Sequence, residues 1–214
     1  MTPQSLQIGR LSASYLPGDA ALLVLSHGAG ADHQHPHMTA ISQSLQRVGL
    51  GTLRFNFPFM EDGRRRVDSQ AICLTAIAEA LSKARELSGN VPILVGGHSF
   101  GGRMSTHFAA ANRADVAGVV CYSFPLHPAK KPAVDRATHF HRINVPQLYL
   151  SGNRDTLAYP KLLEATLDPL PQATLHWLDT ADHGFKILKR TRQSAENVYD
   201  EAARVAGTWF RSMC

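Results

Sequence analysis

The sequence predicts an α/β protein, a three-layer α/β/α sandwich around a mostly parallel sheet, and three observations carry that expectation. Short apolar runs of strand length recur along the chain. Amphipathic segments of helix length separate them. One run also ends in a glycine-bracketed serine, Gly97-His98-Ser99-Phe100-Gly101, at a strand-to-helix junction. Strands joined by helical crossovers are parallel and right-handed as a rule.

The elements are justified in chain order. Leu6–Tyr15 is expected to add an antiparallel edge hairpin. Ala20–Ser26 is continuously apolar before a glycine-rich turn, the pattern of a strand buried on both faces. Pro36–Val48 has helical spacing at Met38, Ile41, Leu45 and Val48, and Gly49 stops it. Gly51–Phe57 reads as the next strand. Ser69–Leu87 reads as a long helix with Ile72, Ile77 and Leu81 inward, ended by Gly89-Asn90. Val91–Gly97 is a strand that turns sharply into a helix running through Ala111. Val116–Tyr122, Val145–Ser151 and Ala173–Leu178 read as further strands, and Ser194–Arg211 as a closing helix. The stretch from Phe124 to Asn144 holds Pro125, Pro128, Pro132, three histidines and Lys130-Lys131. It reads either as a cap loop or as a surface loop, and is too short for a multi-helix lid.

Bulk properties narrow the class. A chain of 214 residues with 44% apolar and 18% charged residues fits one globular domain, 1–214. No apolar run is long enough to cross a bilayer, and Met1–Arg10 lacks a basic stretch followed by an apolar core, so a cytoplasmic protein without membrane partners is expected. Cys73, Cys121 and Cys214 form no CxxC pair and cannot all be paired internally; Cys73 and Cys121 lie in apolar segments and read as buried thiols. The net charge of +5 is moderate. Arg64-Arg65-Arg66 is a short basic run without interleaved aromatics, so no nucleic-acid partner is expected; it reads as a solvated loop or helix start, or as a contact for an anionic substrate tail.

The motif Gly97–Gly101 matches G-x-S-x-G in the strand–turn–helix setting that a nucleophile elbow needs. The serine sits in a strained conformation at the tip of a tight turn, and glycines two positions to either side avoid collision. A serine hydroxyl needs a base, and the base needs a carboxylate to orient it. Among the downstream histidines, His183 follows the final strand and falls at the sheet edge beside the elbow. Gly184 is expected to ease that turn and Phe185 to anchor it. Asp155 follows the preceding strand through Ser151-Gly152-Asn153-Arg154 and is the expected acid, with Asp182 and Asp179 as competitors. The oxyanion donors are expected to be the backbone N–H groups of Phe100 and Ala29, the latter in His27-Gly28-Ala29-Gly30, with Gly30 as alternative. His33, His35 and His37 alternate but lack a ligand set of recognised spacing, so no metal is expected; they would rim the pocket or cap the helix near Pro36. Phe55, Phe57 and Phe59 would line an acyl pocket or pack in the core, and Arg103 would make a structural salt bridge.

Several stretches together resemble the small α/β-hydrolases of the dienelactone hydrolase-like group: SHGAGADHQHPHM (Ser26–Met38), LRFNFPFMEDGRRR (Leu53–Arg66), VGGHSFGGRMS (Val95–Ser105), LSGNRDTLA (Leu150–Ala158) and ADHGF (Ala181–Phe185). The likeness is nearest to a poorly characterised bacterial branch with animal relatives. It implies an eight-stranded sheet, here shortened at the N-terminal edge, with little or no lid and no cofactor. Dienelactone hydrolases proper carry a cysteine nucleophile where this chain has Ser99, which favours ester or thioester cleavage through an acyl-enzyme. A small acyl compound is then the expected substrate, and a monomer or homodimer the expected state. Some members of the branch are subunits of larger assemblies, so a non-catalytic binding or scaffold protein is the alternative.

Overall fold

The computed structural model describes residues 2–111 and 116–213. Eight strands form one sheet: β1 (Gln4–Ile8), β2 (Leu11–Leu16), β3 (Ala21–Ser26), β4 (Leu50–Phe55), β5 (Ile93–His98), β6 (Gly118–Tyr122), β7 (Gln147–Gly152) and β8 (Ala173–Leu178). Their order is β1-β2-β4-β3-β5-β6-β7-β8. The β1–β2 hairpin joins β4 antiparallel, and every other pairing is parallel. The sheet is therefore not shortened at its N-terminal edge. The hairpin gives a weak sequence signal because β1 is an edge strand with only Ile8 buried.

Helices α1 (Pro36–Gln46) and α6 (Val198–Arg211) cover one face. The other carries α3 (Gln70–Ser88), α4 (Phe100–Ala111) and α5 (Pro160–Leu167), while the single turn α2 (Pro58–Glu61) follows β4. Two apolar layers result. Met38, Ile41, Leu45, Ala202, Ala206 and Phe210 pack on one side, and Ile77, Leu81, Met104, Phe108 and Leu163 on the other. Strand β3 divides between them, Leu22 and Val24 facing one layer and Leu23 and Leu25 the other, which is why its sequence is continuously apolar.

Helix α1 starts at Pro36, where a missing N–H costs nothing, and the His35 side chain accepts from the N–H of His37. Helix α3 starts at Ser69 and stops at Gly89, whose φ of 60° suits glycine. Its buried face is Cys73, Ala76, Ile77, Ala80, Leu81 and Ala84. Ile72 points outward and is exposed, contrary to the sequence expectation, because the buried stripe at i, i+3, i+4 spacing begins at Cys73 and leaves residue 72 one position off it. Cys73 and Cys121 are buried free thiols; Cys214 lies outside the described residues. Among the described residues no helix is long and apolar enough to cross a membrane.

Candidate active site

The parallel strands deliver their C-terminal ends to one edge, and three of the connections leaving that edge converge. The first is the β5–α4 turn. Ser99 has φ 51°, and its N–H donates to the Tyr122 carbonyl at 2.9 Å, holding the turn against β6. The neighbouring glycines are required by space. A Cβ on Gly101 would lie 2.6 Å from the His27 carbonyl oxygen, and one on Gly97 would lie 2.8 Å from the Gly101 carbonyl carbon. The collision is thus partly within the elbow and partly with the end of β3.

The second and third connections follow β7 and β8, and they are stitched together. Asn153 Nδ2 donates to Asp179 Oδ1 at 3.0 Å, Asn153 Oδ1 accepts from Thr180 N–H at 2.9 Å, and Arg154 N–H donates to the Ala181 carbonyl at 3.0 Å. Gly152 lets the turns approach, since a Cβ there would lie 2.6 Å from the Ala181 carbonyl carbon. This brings Asp155 Oδ2 to 2.7 Å from His183 Nδ1, while His183 Nε2 lies 2.8 Å from Ser99 Oγ. The other Asp155 oxygen accepts from the Leu157 N–H at 2.8 Å. A carboxylate accepts only, so His183 carries its hydrogen on Nδ1 and offers the Nε2 lone pair to the serine hydroxyl. The Asp155 side chain is fully buried, whereas that of His183 is 24% exposed, so the imidazole is open to an incoming molecule and the carboxylate is not.

Ser99, Asp155 and His183 therefore stand together, and the competing acids do not join them. Asp182 Oδ1 accepts from the N–H groups of Gly184 and Lys186, each at 2.9 Å, and shapes its own turn. Asp179 is held by Asn153. Positive φ in the histidine turn falls on Thr180 (57°) and Phe185 (65°) rather than on Gly184, so the ease expected of Gly184 is not what bends the chain. Phe185 is buried against His37, Tyr122 and Tyr199, and these contacts hold it there.

The β3–α1 loop runs beside the serine. A Cβ on Gly28 would lie 3.7 Å from the Ser99 Cβ. His27, which the sequence did not single out, fastens this loop. Its Nδ1–H donates to the Gly28 carbonyl at 2.8 Å, and its Nε2 accepts from the Phe57 N–H at 2.9 Å. Burial pushes its pKa down to about 4, so it stays neutral, as both bonds require. Ala29 and Gly30 are exposed beyond it, and Phe100 opens α4.

The remaining candidates separate. His33 Nδ1 pairs with Ser14 Oγ at 3.0 Å, His35 caps α1, and His37 Nδ1 meets Tyr199 Oη at 2.9 Å, so the three rings serve three different partners. Phe55, Phe57 and Phe59 are fully buried, with Phe57 and Phe59 edge-on to Phe100, which makes them core beneath the elbow. Arg64 pairs with Asp62 at 3.0 Å and Asp68 at 2.8 Å. Arg103 has no carboxylate partner among the described residues, against expectation. The positive charge facing it is Arg136, and its Nε is buried without a hydrogen bond.

Residues 19–211 match the family model of the alpha/beta hydrolase domain. The chain belongs to the alpha/beta hydrolase family. Solved structures share the fold of this α/β-hydrolase at low identity. A dienelactone hydrolase from Anabaena variabilis is 20% identical, with 98% of each chain covered and a TM-score of 0.71. Est1E from Butyrivibrio proteoclasticus, solved with ferulic acid bound, is 14% identical over 98% of each chain, with a TM-score of 0.73. A monoacylglycerol lipase from Paleococcus ferrophilus is 19% identical over 95% of this chain and 99% of its own, with a TM-score of 0.68.

Proposed function

We propose that this α/β-hydrolase is a serine hydrolase that cleaves a carboxylic ester or thioester of a small acyl compound through an acyl-enzyme. The observation that carries the reading is the unbroken chain from Asp155 Oδ2 through His183 to Ser99 Oγ, with spacings of 2.7 and 2.8 Å, at a strained elbow. Ser99 Oγ attacks the acyl carbonyl carbon as its proton passes to His183 Nε2. Asp155 stabilises the resulting imidazolium through the Nδ1–H bond. The carbonyl π electrons move onto oxygen, and that oxyanion is received by the Phe100 N–H and the Ala29 N–H. When the tetrahedral intermediate collapses, the C–O or C–S bond to the leaving group breaks and His183 returns its proton to that group. Water then attacks the acyl-serine with His183 again as base, releasing the acid and restoring the Ser99 hydroxyl. No metal or organic cofactor enters these steps.

A fluorophosphonate probe tests the nucleophile directly. The expected adduct maps to Ser99 by peptide mass analysis and is lost in Ser99→Ala. A folded wild-type protein that resists the probe and hydrolyses no p-nitrophenyl or CoA ester would favour the scaffold alternative.

A further inference from the structure

The residue before the nucleophile, His98, is a second imidazole at the elbow that the proposed chemistry does not use. Its Nε2 lies 2.9 Å from the backbone carbonyl oxygen of His183. A carbonyl only accepts, so this nitrogen carries the hydrogen and donates. Its Nδ1 faces the β3–α1 loop, where a Cβ on Gly28 would lie 3.0 Å away. The third side is closed by His37, packed edge-on with ring centres 4.3 Å apart and itself bonded to Tyr199. One ring thus touches the histidine turn and the loop beside the serine, and adjoins Ser99 in the chain.

We propose that His98 is a positioning residue: by tying down the His183 carbonyl it holds the His183 ring between Ser99 and Asp155. This rests on the serine-hydrolase reading above. Residues 182–185 form a tight turn whose ring direction follows the backbone, so a carbonyl free to swing would carry Nε2 away from Ser99. A misplacement of about 1 Å costs on the order of 100-fold in rate. Burial and the neighbouring His37 push the His98 pKa down to about 3, so the ring stays neutral while His183 takes up charge during turnover.

The test compares His98→Phe, which fills the ring space without a donor, with His98→Gln, whose amide N–H can reach the same carbonyl. His98→Phe is expected to lower kcat on p-nitrophenyl esters about 10- to 100-fold with KM within about twofold. It should also broaden the low-field proton NMR signal of the His183 Nδ1–H bonded to Asp155. His98→Gln should recover most of kcat and sharpen that signal. Two results overturn the proposal: His98→Phe keeping wild-type kcat and signal, or folded His98→Gln as impaired as His98→Phe. Because the NMR signal needs no turnover, a wild type that shows it yet neither hydrolyses esters nor labels would sink the hydrolase reading alone, and the variants would still judge His98.

Discussion

Two stretches flank the elbow, and they are built in opposite ways. On one side the elbow, the end of β3 and the facing acid and histidine turns meet backbone to backbone, so Gly97, Gly101 and Gly152 are dictated by space. On the other side residues 124–144 meet the body mainly through side chains, with one main-chain bond from the His127 N–H to the Leu157 carbonyl at 2.9 Å. Phe124, Leu126 and Phe140 enter the core, His139 Nε2 pairs with Thr106 Oγ1 at 2.9 Å, and His127 Nε2 accepts from the Tyr159 N–H at 3.2 Å. The segment forms two 3-10 turns, Asp135–Ala137 and Phe140–Arg142, and packs against α4. Where main chains touch, one added carbon collides with something that cannot move. Where side chains touch, a substitution costs one interaction and the chain path survives.

That contrast orders the expected effects of mutation. Ser99→Ala removes the proposed nucleophile and should lower kcat by about 10⁴- to 10⁶-fold with an unchanged melting temperature. Turnover near wild type in the purified variant would remove Ser99 from the mechanism. Asp155→Asn should cost up to about 10⁴-fold in acylation rate, since an amide invites the wrong His183 tautomer. Asp182→Asn keeps an acceptor oxygen for the Gly184 and Lys186 N–H groups and should cost less than about tenfold; the reverse ranking in rapid-mixing kinetics would displace Asp155.

Gly101→Val should destabilise by about 3 kcal/mol or more, or fail to fold, because its Cβ meets the main chain at the end of β3. A soluble variant with the wild-type denaturation midpoint would break the distinction between the two flanks. His139→Ala, on the side-chain-held flank, should cost only about 1 to 3 kcal/mol for a lost hydrogen bond and packing, and leave kcat unchanged.

Acid acts on both flanks alike. Burial pushes His27, His37 and His107 down to about 4 and His98 and His139 to about 3, from an ordinary 6.5. Between pH 6.5 and about 4 the unfolded chain therefore binds more protons than the folded one, and stability falls as pH falls. Each such ring contributes up to about 1.4 kcal/mol per pH unit. Thermal melts from pH 7 to pH 5 should show a steady drop; a flat profile would mean that these rings take up protons without leaving their sites.

Much of this was legible in the sequence because parallel strands impose an order. The elbow motif points to Ser99 after β5, and an acid after β7 and a histidine after β8 leave their strands at the same edge, so chain order then points to Asp155 and His183. The missed features depend on contacts between remote segments. His98 fills an unspecified position of G-x-S-x-G, and its partner is a backbone carbonyl, which has no residue type. In the sequence His27 is part of a glycine-rich turn, and its partner on the far side, the Phe57 N–H, is thirty residues away. Periodicity places Ile72 inward and chemistry expects an acid beside Arg103, yet Ile72 is exposed and no carboxylate among the described residues pairs with Arg103.

The position of β3 has a consequence for how the chain is made. It lies in the middle of the sheet, yet its neighbour β5 begins only at Ile93, after α1, β4, α2 and α3. During synthesis, β3 can pair with β4 while its other edge waits for residues 27–92 to emerge. An all-apolar strand with an unpaired edge is a template for a second nascent chain. The interval before β5 arrives is therefore a stage at which this edge is open to aggregation, and slowing elongation between α3 and β5 should lower the soluble yield.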